Sequence, residues 1–360
     1  MNAKERVCAI LNGQPVDRIP VDLWHTDEVY QSLRSHFGVD TPLDLYRTMG
    51  LDRIVWLGIE YAPPADSGAP GERSGSTHFG AARTMWGVPL KEINTGTATY
   101  HEFGTPPLAQ YDTPESLETY PFWPDPEYFD YDGLTQAAAD ASNDFAVTAP
   151  WVSFYEIYCQ MRGLESALTD LLALPDLADA ILDRIESIQT AMLKRLLKQA
   201  APYLDMVFVS DDMGAQNGLL FGVETWDRFF KARMERWCEL IHSFGLKVFY
   251  HSDGACAALI PRLIDAGIDV LNPIQHACPG MELASLKKAY GDQLVFHGGI
   301  DNQYVLPFGT PEEVREETRR CLRTLGAGKE GYICSSCHNV QAGTPVENIL
   351  AMVETVLQEG

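Results

Sequence analysis

The sequence predicts an α/β protein: a (β/α)8 TIM barrel with a helical and β-hairpin elaboration in its N-terminal half. Three observations carry this expectation. From residue 205 onward, short apolar runs alternate with long amphipathic segments, and five such units follow one another. Parallel strands joined by right-handed crossovers close most simply into a barrel. The chain has 360 residues, 46% of them hydrophobic and 21% charged, enough to bury the core of one large barrel. A single domain over 1–360 is expected.

The elements follow in order. An amphipathic helix is expected at 2–11 and a strand at 19–23. Between about 62 and 131 the composition shifts towards Pro, Gly, Thr and aromatic residues, which reads as an insertion with a β-hairpin around 83–102. It either caps the barrel mouth or is an elaborated surface loop. A strand at 145–149 precedes a helix at 177–199, where Ile181, Ile185, Ile188, Met192 and Leu196 share one face. The apolar runs Met206–Ser210, 246–250, 269–271, 293–297 and 331–334 read as buried parallel strands. Thr310-Pro311 with Glu313, and Thr344-Pro345 with Glu347, are capping-box patterns with proline at the first helical position, and Gly326 stops the first of these helices.

Charge and composition exclude several functions. Lys and Arg number 27 against 50 Asp and Glu, a formal charge of −23, so phosphate backbones and anionic lipid are repelled and nucleic acid is not expected as a partner. No apolar run is long enough to span a bilayer, and 1–11 lacks a signal-peptide core. A cytoplasmic protein is expected. Its large barrel, with many surface apolar residues, is of a kind that forms homodimers. The eight cysteines are scattered, as reduced core residues are; Cys334 and Cys337 alone stand close together, one pair where structural zinc sites generally need two. Glycine-rich phosphate loops and a serine nucleophile elbow are absent.

Barrel enzymes place their reacting groups where strands end. Here each expected strand runs into polar residues: Asp211, Asp212, Gln216 and Asn217; His251, Ser252 and Asp253; Asn272, Gln275 and His276; His297, Gly298, Gly299 and Asp301; Cys334, Cys337 and His338. Imidazole, thiol and carboxylate are the ligands zinc prefers, and a catalytic zinc needs three with one position open. His251 and Asp253 flank Ser252, so an extended backbone points both side chains the same way. Cys337 completes the set, with Cys334 and His338 competing for that role. The plainer reading has His251 bonded to a backbone carbonyl, Asp253 capping a helix and Cys337 as a small buried hydrophobe. The glycines after His297 serve either a close ligand approach or a tight turn.

Several blocks in order along the chain resemble the uroporphyrinogen decarboxylase superfamily: Lys4 to Val7, Gly13, Pro15 to Pro20, Asp211 to Gly214, Tyr250 to Gly254, His297 to Asp301, His338-Asn339, Thr344-Pro345 and Glu347 to Ile349. The resemblance implies a barrel with its active site in the C-terminal cleft. The superfamily holds true porphyrinogen decarboxylases and corrinoid-linked methyltransferases. The decarboxylases carry arginines after the first strand to grip a polycarboxylate. Here Val21 to Glu28 holds no arginine and three carboxylates. The methyltransferases hold zinc on a His-x-Cys pair and a later Cys, which implies His251, Asp253 and Cys337 here, with Asp253 departing from the pattern. Carboxylate in place of thiolate makes a harder, more electrophilic ion.

The resemblance therefore points to a cobalamin-dependent methyltransferase, with zinc and with cobalamin carried on a separate corrinoid protein, acting on a thiol, folate, methoxy or methylamine-type substrate. Zinc bound to a thiol lowers its pKa from ~8.5. Asp211, Asp212, His297 and His338 are the catalytic candidates, and Trp24, His25, Gln216, Asn217, Asn272, Gln275 and Asp301 the substrate-binding ones. The alternative is a metal-free decarboxylase of a porphyrinogen or smaller acid, for which His338 is the proton-transfer group and a cationic pocket the discriminating feature. A non-catalytic corrinoid-binding or small-molecule-binding protein would bind without turnover.

Overall fold

Runs that are apolar on both faces form the wall. The computed structural model describes residues 1–64, 74–75, 83–94, 96 and 99–360. Seven strands build one parallel sheet: β1 (Ile54–Trp56), β2 (Ala146–Val152), β3 (Met206–Ser210), β4 (Lys247–His251), β5 (Val270–Asn272), β6 (Val295–Ile300) and β7 (Tyr332–Ser336), neighbours in space as in sequence. Every residue of β2, β3, β5, β6 and β7 is buried, as in sheets that helices cover.

The sheet closes through the segment 20–26. Asp22 N donates to Cys334 O at 2.8 Å and Cys334 N donates to Pro20 O at 2.9 Å, while Asp52 N donates to Val21 O at 2.8 Å beside β1. The expected strand at 19–23 thus takes the eighth place in the ring, although only Val21 forms a ladder bridge, to Cys334. The fold is the expected TIM-barrel-like α/β architecture.

The helix Pro175–Ala200 buries the expected isoleucine face against this wall. The helix Pro311–Thr324 starts with the expected capping box, Glu313 N donating to Thr310 Oγ1 at 3.3 Å and Thr310 N donating to Glu313 Oε2 at 2.7 Å. Thr310→Ala is expected to lower stability by about 1 kcal/mol, read as a shift in the urea midpoint at unchanged slope. The second box does not form. The helix Val346–Glu359 begins with Pro345 as its cap and no side-chain bond, because Thr344 is held in a preceding turn, its N–H on Gln341 O at 3.2 Å.

The expected hairpin is present, Leu90–Asn94 running antiparallel to Thr99–Phe103. Parts of the expected 62–131 insertion, residues 65–73, 76–82, 95 and 97–98, lie outside the described residues. Among the described residues no helix is long and apolar enough to cross a membrane.

Candidate metal centre and active site

Strand alternation selects the side chains that enter the barrel mouth. Phe208 with Ser210 in β3, and Phe249 with His251 in β4, stand two apart and share a face. Phe208, Phe249 and Trp24 form an aromatic floor, with ring centroids 5.3, 5.8 and 6.1 Å apart. The Trp24 ring stacks on His251 at 6.0 Å. Above this floor, His251, Asp253 and His338 each offer one ligand atom, all within 4.8 Å of one another. The loop carrying Asp253 is clamped: Asp253 N donates to Asp212 Oδ1 at 2.9 Å and Ala255 N donates to Ala215 O at 2.8 Å. Gly254 has φ +81°, and a Cβ there would lie 2.6 Å from Ala215 O, so only glycine fits this approach.

A buried chain of hydrogen bonds runs beneath the cluster. The Arg53 guanidinium donates to Asp22 Oδ1 at 2.7 Å, His297 Nε2 meets Asp22 Oδ2 at 3.0 Å, Asn272 Nδ2 meets His297 Nδ1 at 2.7 Å, and His251 Nδ1 meets Asn272 Oδ1 at 2.5 Å. Asp22, His297 and Asn272 are 0% exposed. Burial opposes ionisation of Asp22, but Arg53 and His297 outweigh it and hold the carboxyl well below the usual carboxylate range. Burial lowers the pKa of His297, against the pull of Asp22. The ionised carboxylate only accepts, so His297 donates from Nε2 and accepts at Nδ1; Asn272 donates its amide to His297 and accepts from His251 Nδ1–H. The Nδ1 bond leaves Nε2 as the ring atom turned to the mouth, 3.5 Å from Asp212 Oδ1, and in the neutral ring it is the one that carries the lone pair.

Two further carboxyls matter. Asp211 Oδ1 accepts from Ser153 Oγ at 2.7 Å and Tyr155 N at 2.6 Å, capping the helix Tyr155–Arg162, and Oδ2 has no partner. Burial pushes Asp211 up to about 7, against those bonds. Glu156, which sequence reasoning missed, accepts from Ser210 Oγ. Burial, with Asp212, Asp211 and Asp253 nearby, pushes it well above the usual range. Its signal was a lone acidic residue in the otherwise apolar stretch after β2.

The other expected residues divide. His338 joins the cluster, its Nε2 4.0 Å from Asp253 Oδ2, and burial and then His251 lower its pKa. Gln216 and Gln275 line a pocket of about 270 Å³ with Asp253, Cys337 and His338. Cys337 is outside the ligand cluster: its Sγ donates to Ile274 O at 3.3 Å, and burial pushes the thiol up. Cys334 is fully buried in the wall, its thiol pushed up to about 12 by burial. Of the expected substrate contacts, three are already bonded within the protein and one is exposed in a turn. Asn272 is sealed in the buried chain, as is the catalytic candidate His297. His25 has both ring nitrogens engaged, on Thr26 O and the Tyr46 hydroxyl, and burial lowers its pKa to about 4. Asn217 is an exposed residue in the turn between Gly214–Ala215 and Gly218–Leu219. Asp301 caps its own loop, accepting from Gln303 N and Tyr304 N. The glycines after His297 serve wall packing: a Cβ on Gly298 would lie 3.1 Å from Ile274 N.

Residues 128–358 match the profile of the family described as Uroporphyrinogen decarboxylase (URO-D). The chain belongs to this family. Within it, a methylated-thiol–coenzyme M methyltransferase of Methanosarcina mazei is 25% identical over 211 residues, 58% of this chain and 50% of that protein. A uroporphyrinogen decarboxylase of Thermus thermophilus is 29% identical over 174 residues, 48% of this chain and 47% of that protein. The matched stretches thus span about half the length of these curated relatives. The solved structure of a methyltransferase from Methanosarcina mazei covers 99% of both chains with a TM-score of 0.69 at 15% identity, a likeness of fold. In this URO-D family member, the described residues lining the pocket beside Asp253 and the larger cavity beside Asp212 include no Lys or Arg.

Proposed function

We propose that this protein is a methyltransferase that moves a methyl group between a cobalamin, carried on a separate corrinoid protein, and a small-molecule substrate, assisted by zinc. The observation that carries this reading is the convergence of His251, Asp253 and His338 with the His251 Nε2 lone pair turned towards carboxylate oxygen. Such a group of donors is relieved by a proton or by a metal cation among them, and two imidazoles with a carboxylate are a donor set zinc accepts. The name and the fold of the Methanosarcina mazei relatives lean the same way. A porphyrinogen decarboxylase would need a cationic cleft, and the lining residues oppose that.

His251, Asp253 and His338 would hold the metal, which when bound would supply Lewis acidity in the cleft. Trp24 keeps the His251 ring flat against the floor, and the Asn272 chain keeps its tautomer. Asp212 faces both His251 and the larger cavity, where it orients substrate. Glu156 sets its carboxyl in that cavity wall, where burial pushes its pKa up.

Metal analysis of the purified protein tests this. One zinc per chain is expected, with loss in His251→Ala and in His338→Ala. A native protein without stoichiometric metal after zinc loading, or full retention by both variants, overturns the zinc assignment. A methylcobalamin assay with candidate thiols and methyl donors tests the transfer itself.

A further inference from the structure

The larger cavity, about 460 Å³, opens beside Asp212 and is walled by Phe103, Tyr155, Glu156, Cys159 and Leu220. Phe103 comes from the hairpin 90–103, so part of the insertion walls the mouth. Gln160 apart, the surroundings are mostly apolar and aromatic except where Glu156 and Asp212 line the cavity. Among the described residues the Glu156 carboxyl receives one side-chain hydrogen bond, from Ser210 Oγ, and no Lys or Arg lines the cavity. An uncompensated carboxyl in apolar surroundings is costly, and Asp211 and Asp253 add negative charge near Glu156. A bound molecule of positive charge supplies the missing partner; a sulfonate or carboxylate meets repulsion.

We infer that this cavity binds a methylated ammonium group carried on an apolar body, its charge towards Glu156 and Asp212 and its body against Phe103, Tyr155 and Leu220. Aromatic walls add attraction for such cations, and the volume exceeds that of a bare tetramethylammonium ion, leaving room for the apolar body. The inference deepens the methyltransferase reading and rests on it for the role of the ligand as methyl donor. In that role the donor is a quaternary ammonium: its carbon–nitrogen bond breaks with the electron pair staying on nitrogen, the methyl passes to the reduced corrinoid nucleophile, and the product is a neutral tertiary amine that needs no proton.

Calorimetric titration of the purified full chain with three probes of one shape class tests it: benzyltrimethylammonium, benzyl methyl ether and phenylmethanesulfonate. The cation is expected to bind at least about tenfold more tightly than the ether, with no measurable sulfonate binding. Glu156→Gln is expected to remove most of the cation's advantage while leaving ether binding within about twofold, and Asp212→Asn serves as second variant if the first fails to fold. Sulfonate binding equal to the cation, or a cation-to-ether ratio unchanged in both variants, overturns the inference. Charge-selective binding without methyl transfer to cob(I)alamin upholds the binding site and overturns the methyltransferase reading, so the two fail separately.

Discussion

Asn272→Leu is expected to weaken zinc binding by about ten- to a hundredfold while leaving the barrel folded. The side chain touches no solvent, and its amide is the sole link between His297 and His251 in the buried chain. With leucine in its place, nothing accepts from His251 Nδ1, the proton is free to move to Nε2, and the ring is free to turn off the Trp24 face. Competition with a chelator of known affinity reads the change. Nitrogen-15 chemical shifts of the imidazoles in the metal-free protein read the tautomer without any turnover. Asn272→Asp keeps an acceptor for His251 and should recover part of the affinity. An Asn272→Leu protein with native zinc affinity would show that the chain beneath the site is only packing.

Arg53→Met is expected to cost about 3–5 kcal/mol of folding stability, because it strands a carboxylate inside the wall. Asp22 is fully buried and receives, besides Arg53, His297 Nε2–H at 3.0 Å, the indole of Trp24 at 2.9 Å and the amides of Leu23 at 2.8 Å and Ile54 at 3.3 Å. These bonds hold the charge in place but do not cancel it. The same pair gives a pH signature. Asp22 titrates lower in the folded protein than in the unfolded chain, so the unfolded chain takes up the proton first as pH falls. The stability from Asp22 is complete at neutral pH and begins to be lost as the pH drops through about 4. Guanidinium denaturation at pH 7 and at about pH 2 should show a large wild-type loss between them and a smaller one in Arg53→Met. Equal slopes with pH in both proteins would rule this out.

The parts of the barrel legible in the sequence are those where burial on both faces leaves an unbroken apolar run, such as Met206–Ser210 and the residues before His251. β1 escaped because it is three residues long, bounded by Arg53 and Leu57, and gains its place from partners far along the chain. Strand ends marked out the neighbourhood where the structure gathers His251, Asp253 and His338, since His251 ends β4 and the other two follow β4 and β7. Choosing between Cys337 and His338 was beyond pattern reading: neighbours on a loop diverge according to which backbone amide is tied down, and here Cys337 N is fixed on Ile300 O at 2.8 Å. His297 looked catalytic and Asn272 looked like a substrate contact because polar residues at strand ends usually face the ligand. They lie one layer deeper, where polarity is satisfied by other side chains. Asp22 gave no warning, since its partner His297 lies 275 positions away.

That separation bears on how the molecule is made. Asp22 leaves the ribosome long before the strands that flank and bond it exist, and at roughly 5–20 residues per second it waits on the order of a quarter to one minute for His297. Throughout synthesis the early strands carry an open apolar edge, and the last-made wall strand is the one that seals it. A growing chain of this protein thus exposes that edge until β7 is made, and the candidate metal ligands come together only once His338 has followed it.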